Sequence, residues 1–385
     1  VTQINGEDGV RMFGFSVYLS AALDEASHEY VNRMADAGFT GVFTSLHIPE
    51  DDPHVLRERL ERLADWCRAR RLTLTADVSG TGLHRLGWSL GEPERILATG
   101  LTALRIDDGV DLADVAKLSR AMPVALNAST ITASDVDALR RHDARFSQLN
   151  AWHNYYPRTE TGLERGWYLR KNQWLHDLGL HTVGFIPGDG ALRGPLHLHL
   201  PTLEAHREWS PLAAYLDLRQ AQTDDVYVAD NTVSASSLRS LTRYLHNQVV
   251  TLRIDGLLST SGVDPGADLG TDSGADPNAS LISTLGSVVW HNRPDVARDV
   301  VRLRESRGAQ LLPVAANPHL VQPRLLGTVT VDNAQYGRYA GELQITRRDL
   351  PADSRVNVLG RVIPADRPLL NHIEADTGIQ LIERE

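Results

Sequence analysis

Short apolar runs alternate with longer amphipathic segments over the first 247 positions of the chain. The short runs are rich in β-branched and aromatic residues, and eight of them are typical of strands: MFGFSVYLS, GVFTSLHI, LTLTADVSG, ALRIDDG, PVALNAS, SQLNAWHNYY, HTVGFIPG and DVYVADN. Segments between them, such as SHEYVNRMADAG and GWYLRKNQWLHDLG, have helical spacing and end on glycine. Eight alternating strands and helices over about 250 residues predict an α/β fold, a (β/α)8 barrel of the TIM type.

A doubly wound open sheet is the competing α/β architecture for this alternation. Such a fold often binds a dinucleotide through a glycine-rich turn directly after the first strand. No fingerprint of that kind follows MFGFSVYLS. The closed barrel is therefore the preferred prediction.

The pattern of apolar and polar residues changes after residue 247. Strand-like runs VVTLRI, GSVVWH, QLLPVA, GTVTVD, YAGELQIT and RVNVLGRVI are joined by Pro, Asn, Asp and Gly, with one helix-like piece, RPDVARDVVRLRES. We predict a catalytic barrel over residues 1–247 and a small, mostly-β, barrel-like domain over 248–385. Residues 259–280 are rich in Gly, Asp, Ser and Pro, a composition that predicts a mobile loop.

Composition and charge exclude several classes of function. The 385 residues carry a formal net charge of −10, which disfavours nucleic-acid binding because phosphates require a clustered basic face. No apolar run approaches the ~20 residues of a membrane span, and the first residues lack the pattern of a signal peptide. We expect a cytoplasmic protein that binds a small molecule and needs no metal or cofactor. The sequence leaves self-association into a homo-oligomer open.

Polar side chains cluster at the ends of the predicted strands. In a TIM-type barrel these ends meet at one rim, where functional residues gather. The strand-end residues are Ser16, Tyr18, Thr44, Ser45, His47, Asp77, Ser79, Arg105, Asp107, Asp108, Asn127, Ser129, Asn150, His153, Asn154, Tyr155, Asp189, Asp230 and Asn231. Their convergence predicts one large polar pocket.

Carboxylates, amides and aromatic rings together fit a sugar site. Glycosidic cleavage uses two carboxyl groups in different environments. Asp77 and Asp107 belong to apolar runs and are favoured as functional, whereas Asp108, before Gly109, is interpreted as a helix N-cap. Glu204 lies in a long loop after the seventh strand; a catalytic carboxylate and a helix-end carboxylate remain equally open for it.

Two further groups of residues suggest other kinds of site: arginines that bind an anion and histidines that bind a metal. Arg158, Arg193, Arg207 and Arg338 offer guanidinium groups that could bind an anion. His153, His197 and His199 could instead form the metal site of a barrel hydrolase or isomerase. A third hypothesis is a non-catalytic sugar-phosphate sensor whose β domain signals to a partner.

Several motifs resemble the bacterial 6-phospho-N-acetylmuramidase family of glycoside hydrolases. They are FGFSVYLS, GFTGVFTSLHIPED, TADVSG, LRIDDG, NAWHNYYPRTETGL, LPTLEAHR, DVYVADN, VTVDNAQYGRYAGELQI and RVNVLGRV, and they follow one another over nearly the whole chain. The resemblance implies a TIM-type barrel followed by a cyclophilin-like β domain. It also implies hydrolysis of a β-1,4 bond between N-acetylmuramic acid 6-phosphate and N-acetylglucosamine during peptidoglycan recycling.

The resemblance also implies which residues form the pocket. In the barrel they are Asp77, Asp107, Asn127, His153, Asn154, Tyr155, Arg158, Glu204, His206 and Arg207, with Asn150 and Asp230 added from the strand ends; in the second domain they are Asn333, Tyr336 and Arg338. We expect Glu204 to be the acid and Asp107 or Asp77 its partner. Arg158, Arg207 or Arg338 is expected to receive the phosphate.

Overall fold

A computed structural model describes residues 12–46, 53–256, 285–309 and 314–384. The described chain divides into two compact units, 1–238 and 239–385. The sequence-based boundary at residue 247 falls at the end of the helix that follows the eighth strand. His47 and the predicted mobile loop at 259–280 lie outside the described residues.

The first unit is a closed barrel of eight parallel strands in sequential order, with the first strand paired to the eighth. The predicted (β/α)8 architecture is therefore confirmed. Its strands are β1 Phe13–Ser16, β2 Gly41–Ser45, β3 Thr73–Val78, β4 Ala103–Ile106, β5 Val124–Asn127, β6 Leu149–Trp152, β7 His181–Ile186 and β8 Asp225–Val228.

Helices follow each strand and cover the outside of the barrel. They are α1 Glu25–Asp36, α2 Pro53–Arg70, α3 Gly80–Leu86, α4 Pro93–Leu97, α5 Leu112–Leu118, α6 Ala133–Arg141, α7 Arg165–Asp177, α8 Pro211–Gln220 and α9 Ala235–Asn247. Local side-chain bonds fix several helix starts: Asp24 accepts from the backbone N–H of Ser27 at 2.9 Å before α1. Asp111, and not Asp108 as the sequence indicated, caps α5 by accepting from Ala113 at 2.8 Å.

Large aromatic side chains fill the barrel interior beneath its C-terminal rim. Trp152 and Tyr227 are almost fully buried, and their ring centroids lie 4.6 Å apart. Tyr227 fits because two strands carry glycine opposite it: a Cβ on Gly14 would lie 2.1 Å from its ring, and one on Gly41 would lie 2.2 Å from its hydroxyl. This packed layer closes the barrel, so any ligand must bind above it.

The second unit is built around a seven-stranded sheet, which confirms the predicted mostly-β domain. The strand order is β10-β15-β9-β14-β12-β13-β11, antiparallel except for the parallel pair β9 and β15. The strands are β9 Val249–Asp255, β10 Trp290–His291, β11 Val300–Leu303, β12 Thr328–Asp332, β13 Leu343–Thr346, β14 Val356–Val362 and β15 Gly378–Glu383. Short 3-10 segments at Pro318–Leu320, Ala334–Tyr339 and Pro364–His372, and one helical turn at Ser306–Ala309, connect them.

One sequence prediction for the second unit was wrong, and one strand was missed. RPDVARDVVRLRES forms no helix over its length, because Val300, Val301 and Leu303 make strand β11 with alternating burial. The last strand, Gly378–Glu383, was not predicted. Most of the predicted run QLLPVA lies outside the described residues. No helix in the described parts of the chain is long and apolar enough to cross a membrane.

Candidate active site

A cavity of about 310 Å³ lies at the C-terminal ends of the barrel strands. Small-molecule sites span about 300–1,000 Å³, so this volume is at the lower end of their range. The lining residues are Phe43, Ser45, Asp77, Arg105, Asp107, His153, Asn154, Tyr155, Pro157, Phe185 and Arg193. The barrel thus brings together eight residues that the sequence indicated, namely Ser45, Asp77, Arg105, Asp107, His153, Asn154, Tyr155 and Arg193.

Arg105 is the centre of the polar side of this cavity. Side chains two residues apart on an extended strand point the same way. Arg105 on β4 and Asp107, directly after it, therefore both point toward the barrel interior. Arg105 pairs in register with Asp77 on β3, which places those two side chains next to each other. Nη1 of Arg105 donates to Asp77 Oδ1 at 2.5 Å and to Asp107 Oδ1 at 3.2 Å, and Nη2 donates to Asn154 Oδ1.

The two carboxylates around Arg105 have different environments. The Asp77 side chain is 10% exposed, and its bond to Arg105 is the shorter one. The Asp107 side chain is 33% exposed and also accepts from Asn127 Nδ2 at 2.9 Å. Asn127 is itself oriented, because its Oδ1 accepts from the backbone N–H of Ser129 at 3.0 Å. Both carboxyl groups line the cavity; Asp77 is the more buried and more tightly held of the two, and Asp107 is the more exposed.

Burial alone would disfavour the charge on Arg105, whose side chain is 4% exposed. The two carboxylates of Asp77 and Asp107 outweigh burial and hold the pKa of Arg105 above its usual value. One guanidinium therefore contacts two carboxyl groups on this side of the cavity. Carboxyl groups in this position suit a cationic transition state such as an oxocarbenium ion.

The comparisons with known proteins cover both units. A family model described as 6-phospho-N-acetylmuramidase, N-terminal, matches residues 13–243, and its C-terminal counterpart matches residues 275–382. The chain belongs to the 6-phospho-N-acetylmuramidase family. No curated protein matches the chain.

Two solved structures resemble this member of the family over nearly its full length. A conserved protein of unknown function from a locus in Enterococcus faecalis is 36% identical, with a TM-score of 0.81 over 97% of this chain and 96% of that one. An uncharacterized protein from B. cereus is 22% identical, with a TM-score of 0.68 over 97% of this chain and 99% of that one. The first shares the fold and substantial sequence; the second shows the fold alone.

His153 lines the cavity but is occupied by protein partners. Its ring is fully buried, Nε2 contacts Asn172 Oδ1 at 2.8 Å, and Nδ1 contacts Ser129 Oγ at 3.5 Å. Asn172 donates through Nδ2 to the carbonyl of Ala221, so its oxygen faces His153 and accepts from Nε2. Burial lowers the pKa of His153 to about 3, which keeps the imidazole neutral. His153 therefore packs the cavity wall.

Glu204 does not line the cavity, and the expectation that it is the acid disagrees with its contacts. Its Oε1 accepts from the backbone N–H of Glu160 at 2.8 Å, and Oε2 accepts from that of Gly162 at 2.7 Å. Arg207 donates to both oxygens, each at 2.7 Å. The Arg207 bonds and these backbone bonds lower the pKa of Glu204 to about 2. A group that stays ionised to such low pH cannot supply a proton near neutrality.

Arg207 is likewise committed to the structure. Nη1 donates to the carbonyl of His199 at 2.6 Å, while Nη2 donates to the carbonyls of Tyr156 at 3.1 Å and Arg158 at 3.3 Å. Together with Glu204, these bonds engage all three guanidinium nitrogens and tie the loop after β6 to the loop after β7. Arg207 is also absent from the cavity lining, so its position disagrees with the expectation that it receives a phosphate.

We expect a Glu204→Gln variant to be less stable by about 2 kcal/mol at neutral pH, because one amide N–H₂ would face a donor. The folded pKa of Glu204 is depressed, so its contribution is complete above the unfolded value near 4.5 and disappears as pH falls toward about 2. Urea unfolding of both proteins at several pH values measures this. The fall in activity at acid pH should occur at the same pH in the variant as in the unaltered protein. Disappearance of this acid limb in Glu204→Gln would show that Glu204 takes part in the reaction.

His206 and Asp230 are also structural in their contacts. His206 is fully buried and its Nε2 contacts Asp217 Oδ2 at 2.9 Å; burial lowers its pKa against the effect of that carboxylate. Asp230 accepts from the backbone N–H groups of Gly188, Leu200 and Arg193, at 2.9, 3.2 and 3.3 Å. Neither residue lines the cavity, contrary to their expected place in substrate binding. Both hold the long loop after β7.

The remaining barrel candidates do not line this cavity. Asn150 precedes the buried Trp152 by two positions on β6 and does not line the cavity. Arg158 is exposed and is also absent from the cavity lining. Three candidates belong to the second unit: Asn333 is buried and bonded to Ser354, Asn357 and Gln335, the Tyr336 ring lies under Arg355, and Arg338 is exposed beside Tyr339.

Arg105 was expected only as one of many strand-end residues of the polar pocket and was given no individual role, although a signal for one existed. An arginine in the middle of ALRIDDG interrupts an apolar run at the inward-facing position, two residues before Asp107. A charged residue is almost never fully buried without a partner. The sequence therefore indicated that Arg105 would meet carboxylates inside the barrel.

Proposed function

We propose that this protein is a glycoside hydrolase that cleaves the β-1,4 bond between N-acetylmuramic acid 6-phosphate and N-acetylglucosamine. The observation that carries the proposal is the pair Asp77 and Asp107, held by one buried arginine inside the barrel cavity. Family membership supports glycoside hydrolysis, and the two carboxylates supply the functional groups that this reaction needs. We place the reaction in peptidoglycan recycling and in the cytoplasm, where a phosphorylated fragment is retained by its charge.

The environments of the two carboxylates favour distinct roles. Asp107 is the more exposed of the two and makes the longer contact with Arg105, so its carboxyl group is the freer to reach a leaving oxygen. We assign Asp107 as the general acid that donates its proton to the leaving oxygen. We assign Asp77, which accepts from Arg105 at 2.5 Å, as the nucleophile that attacks the anomeric carbon.

The distance between the carboxylates favours retention of configuration. One oxygen of each carboxylate contacts the same nitrogen of Arg105, at 2.5 and 3.2 Å. The nearer oxygens of the two carboxyl groups therefore lie within about 6 Å of each other, a range that includes the separation of about 5–5.5 Å found in retaining enzymes. A double displacement through Asp77, followed by water activated by Asp107, fits this spacing.

Proton NMR of a fresh reaction with the 6-phosphorylated disaccharide tests both the activity and its stereochemistry. We expect N-acetylmuramic acid 6-phosphate to appear first as the β-anomer, before mutarotation mixes the anomers. Product masses from the unphosphorylated disaccharide, incubated in parallel, give the preference for phosphate. An α-anomer formed first would contradict the double displacement, and the absence of cleavage would contradict the proposed function.

The metal-dependent alternative finds little support in the positions of its histidines. Both ring nitrogens of His153 have protein partners, and His199 Nδ1 contacts the carbonyl of Gly188 at 2.9 Å. Within the described ranges of the chain, no three His, Cys, Asp or Glu side chains are grouped to hold a metal ion. Loss of turnover on chelation, restored by a divalent ion, would favour this alternative. Tight binding of the phosphorylated disaccharide without turnover would favour the third hypothesis, the non-catalytic sugar-phosphate sensor.

A further inference from the structure

The cavity has a second, chemically different side around Arg193. This residue lies in the loop between β7 and β8, and its backbone N–H donates to Asp230 Oδ1 at 3.3 Å. The same carboxylate accepts from Gly188 and Leu200 at the two ends of the loop. A buried carboxylate with three backbone donors therefore fixes the backbone from which Arg193 reaches into the cavity.

Two tyrosines orient the Arg193 guanidinium. Its Cζ atom lies 3.7 Å from the ring centroid of Tyr18 and 5.6 Å from that of Tyr155, and Nη1 donates to the Tyr155 hydroxyl. Tyr18 is anchored by its own hydroxyl, which donates to the carbonyl of Ala229 at 2.6 Å. Tyr155 packs edge-on against Phe185, with ring centroids 5.3 Å apart. The guanidinium is thus held in place by rings, which leave its charge uncompensated.

The two arginines of the cavity therefore differ in what they can bind. Arg105 already faces Asp77 and Asp107, whereas no carboxylate oxygen of the described residues lies within 4.0 Å of a guanidinium nitrogen of Arg193. A half-buried guanidinium without a carboxylate partner is a ready ligand for an anion, and its planar fork matches two phosphate oxygens.

We propose that Arg193 binds the 6-phosphate of the substrate and thereby selects phosphorylated sugars. The inference rests on the proposed function for the identity of the sugar. It places the phosphate against Arg193 and Tyr155 while the glycosidic oxygen faces Asp107. Arg193 then acts as a specificity-determining residue, because it contacts a part of the substrate that does not react.

A muramic acid sugar carries a second anion, the carboxylate of its lactyl group, and the test must separate the two. Calorimetric titration with three sugars does so: N-acetylglucosamine 6-phosphate has only the phosphate, N-acetylmuramic acid has only the carboxylate, and N-acetylglucosamine has neither. We expect the phosphorylated sugar to bind the unaltered protein at least about 10-fold more tightly than the other two. Equal binding of all three would overturn the proposal without any variant.

Variants then assign the effect to the residue. We expect Arg193→Met to weaken binding of N-acetylglucosamine 6-phosphate about 10- to 100-fold and to leave N-acetylglucosamine binding unchanged. Arg193→Lys keeps the charge but loses the planar fork, so its affinity for N-acetylglucosamine 6-phosphate should lie between those of the unaltered protein and Arg193→Met. Arg141→Met, at the exposed end of α6, is the matched control with no expected effect. Unchanged phosphate binding in Arg193→Met, or a loss confined to N-acetylmuramic acid, would contradict the proposal.

These titrations measure binding and do not depend on turnover. Phosphate-selective binding that requires Arg193, in a protein that cleaves no disaccharide, would support the anion site and refute the glycosidase. If phosphorylated and unphosphorylated disaccharides are cleaved equally well, and Arg193→Met does not change the rate, the glycosidase is supported and the Arg193 phosphate site is refuted. The two proposals therefore fail separately.

Discussion

An Asp107→Asn variant is expected to keep its fold and to lose about 10³-fold in kcat/KM on the phosphorylated disaccharide, because an amide cannot protonate the leaving oxygen. Asp77→Asn is expected to lose at least as much, because an amide can neither form the glycosyl intermediate nor neutralise a developing cation. Steady-state kinetics with product masses as the readout, together with circular dichroism for the fold, give these values.

Asp108→Asn is the matched control for both variants. Asp108 follows Asp107 directly, is exposed, and lies outside the lining of the central cavity. The substitution makes the same chemical change one position further along the chain, and we expect kcat/KM within about threefold of the unaltered value, since surface substitutions are usually nearly neutral. Near-normal turnover in both Asp77→Asn and Asp107→Asn would refute the carboxylate assignment.

Arg105→Met is expected to lower the free energy of unfolding by about 3–5 kcal/mol, because it leaves the buried Asp77 and the neighbouring Asp107 without their cation. Turnover should fall with it, since the two carboxylates would repel each other out of position. Urea unfolding measures the stability, and kinetics measures the activity of the folded fraction.

The double variant Arg105→Met, Asp77→Asn separates charge from packing. Removing the Asp77 charge relieves the repulsion, so we expect the double variant to regain part of the lost stability while remaining inactive. If Asp77→Asn lowers the free energy of unfolding by the same amount in the Arg105→Met background as in the unaltered protein, the two residues act independently. That additivity would contradict the central role given to Arg105.

The architecture could be predicted from the sequence because it depends on periodic signals. Eight apolar runs spaced by amphipathic helices leave few alternatives to a closed parallel barrel, and strand order in such a barrel follows chain order. The second unit was harder because a run such as DVVRLR has apolar residues compatible with either period. Sheet pairing, which is set by distant segments, decided the outcome.

Strand-end positions could also be predicted, whereas loop positions could not. Asp77 and Asp107 follow from the inward alternation of β3 and β4, so a sequence reader can place them at the rim. Glu204, His206 and Arg207 belong to a loop whose shape depends on bonds to residues 40 or more positions away, such as Glu204 to Gly162. Sequence spacing carries no information about those partners, and the loop carboxylate thus resembled a catalytic one.

A crystal structure of the Asp107→Asn variant with the 6-phosphorylated disaccharide bound is the most direct test of the site proposed here. We expect the glycosidic oxygen within about 3 Å of the residue 107 side chain and the anomeric carbon facing Asp77, as hydrogen-bond geometry for general acid catalysis requires. A disaccharide bound away from Asp77 and Arg105 would contradict the account.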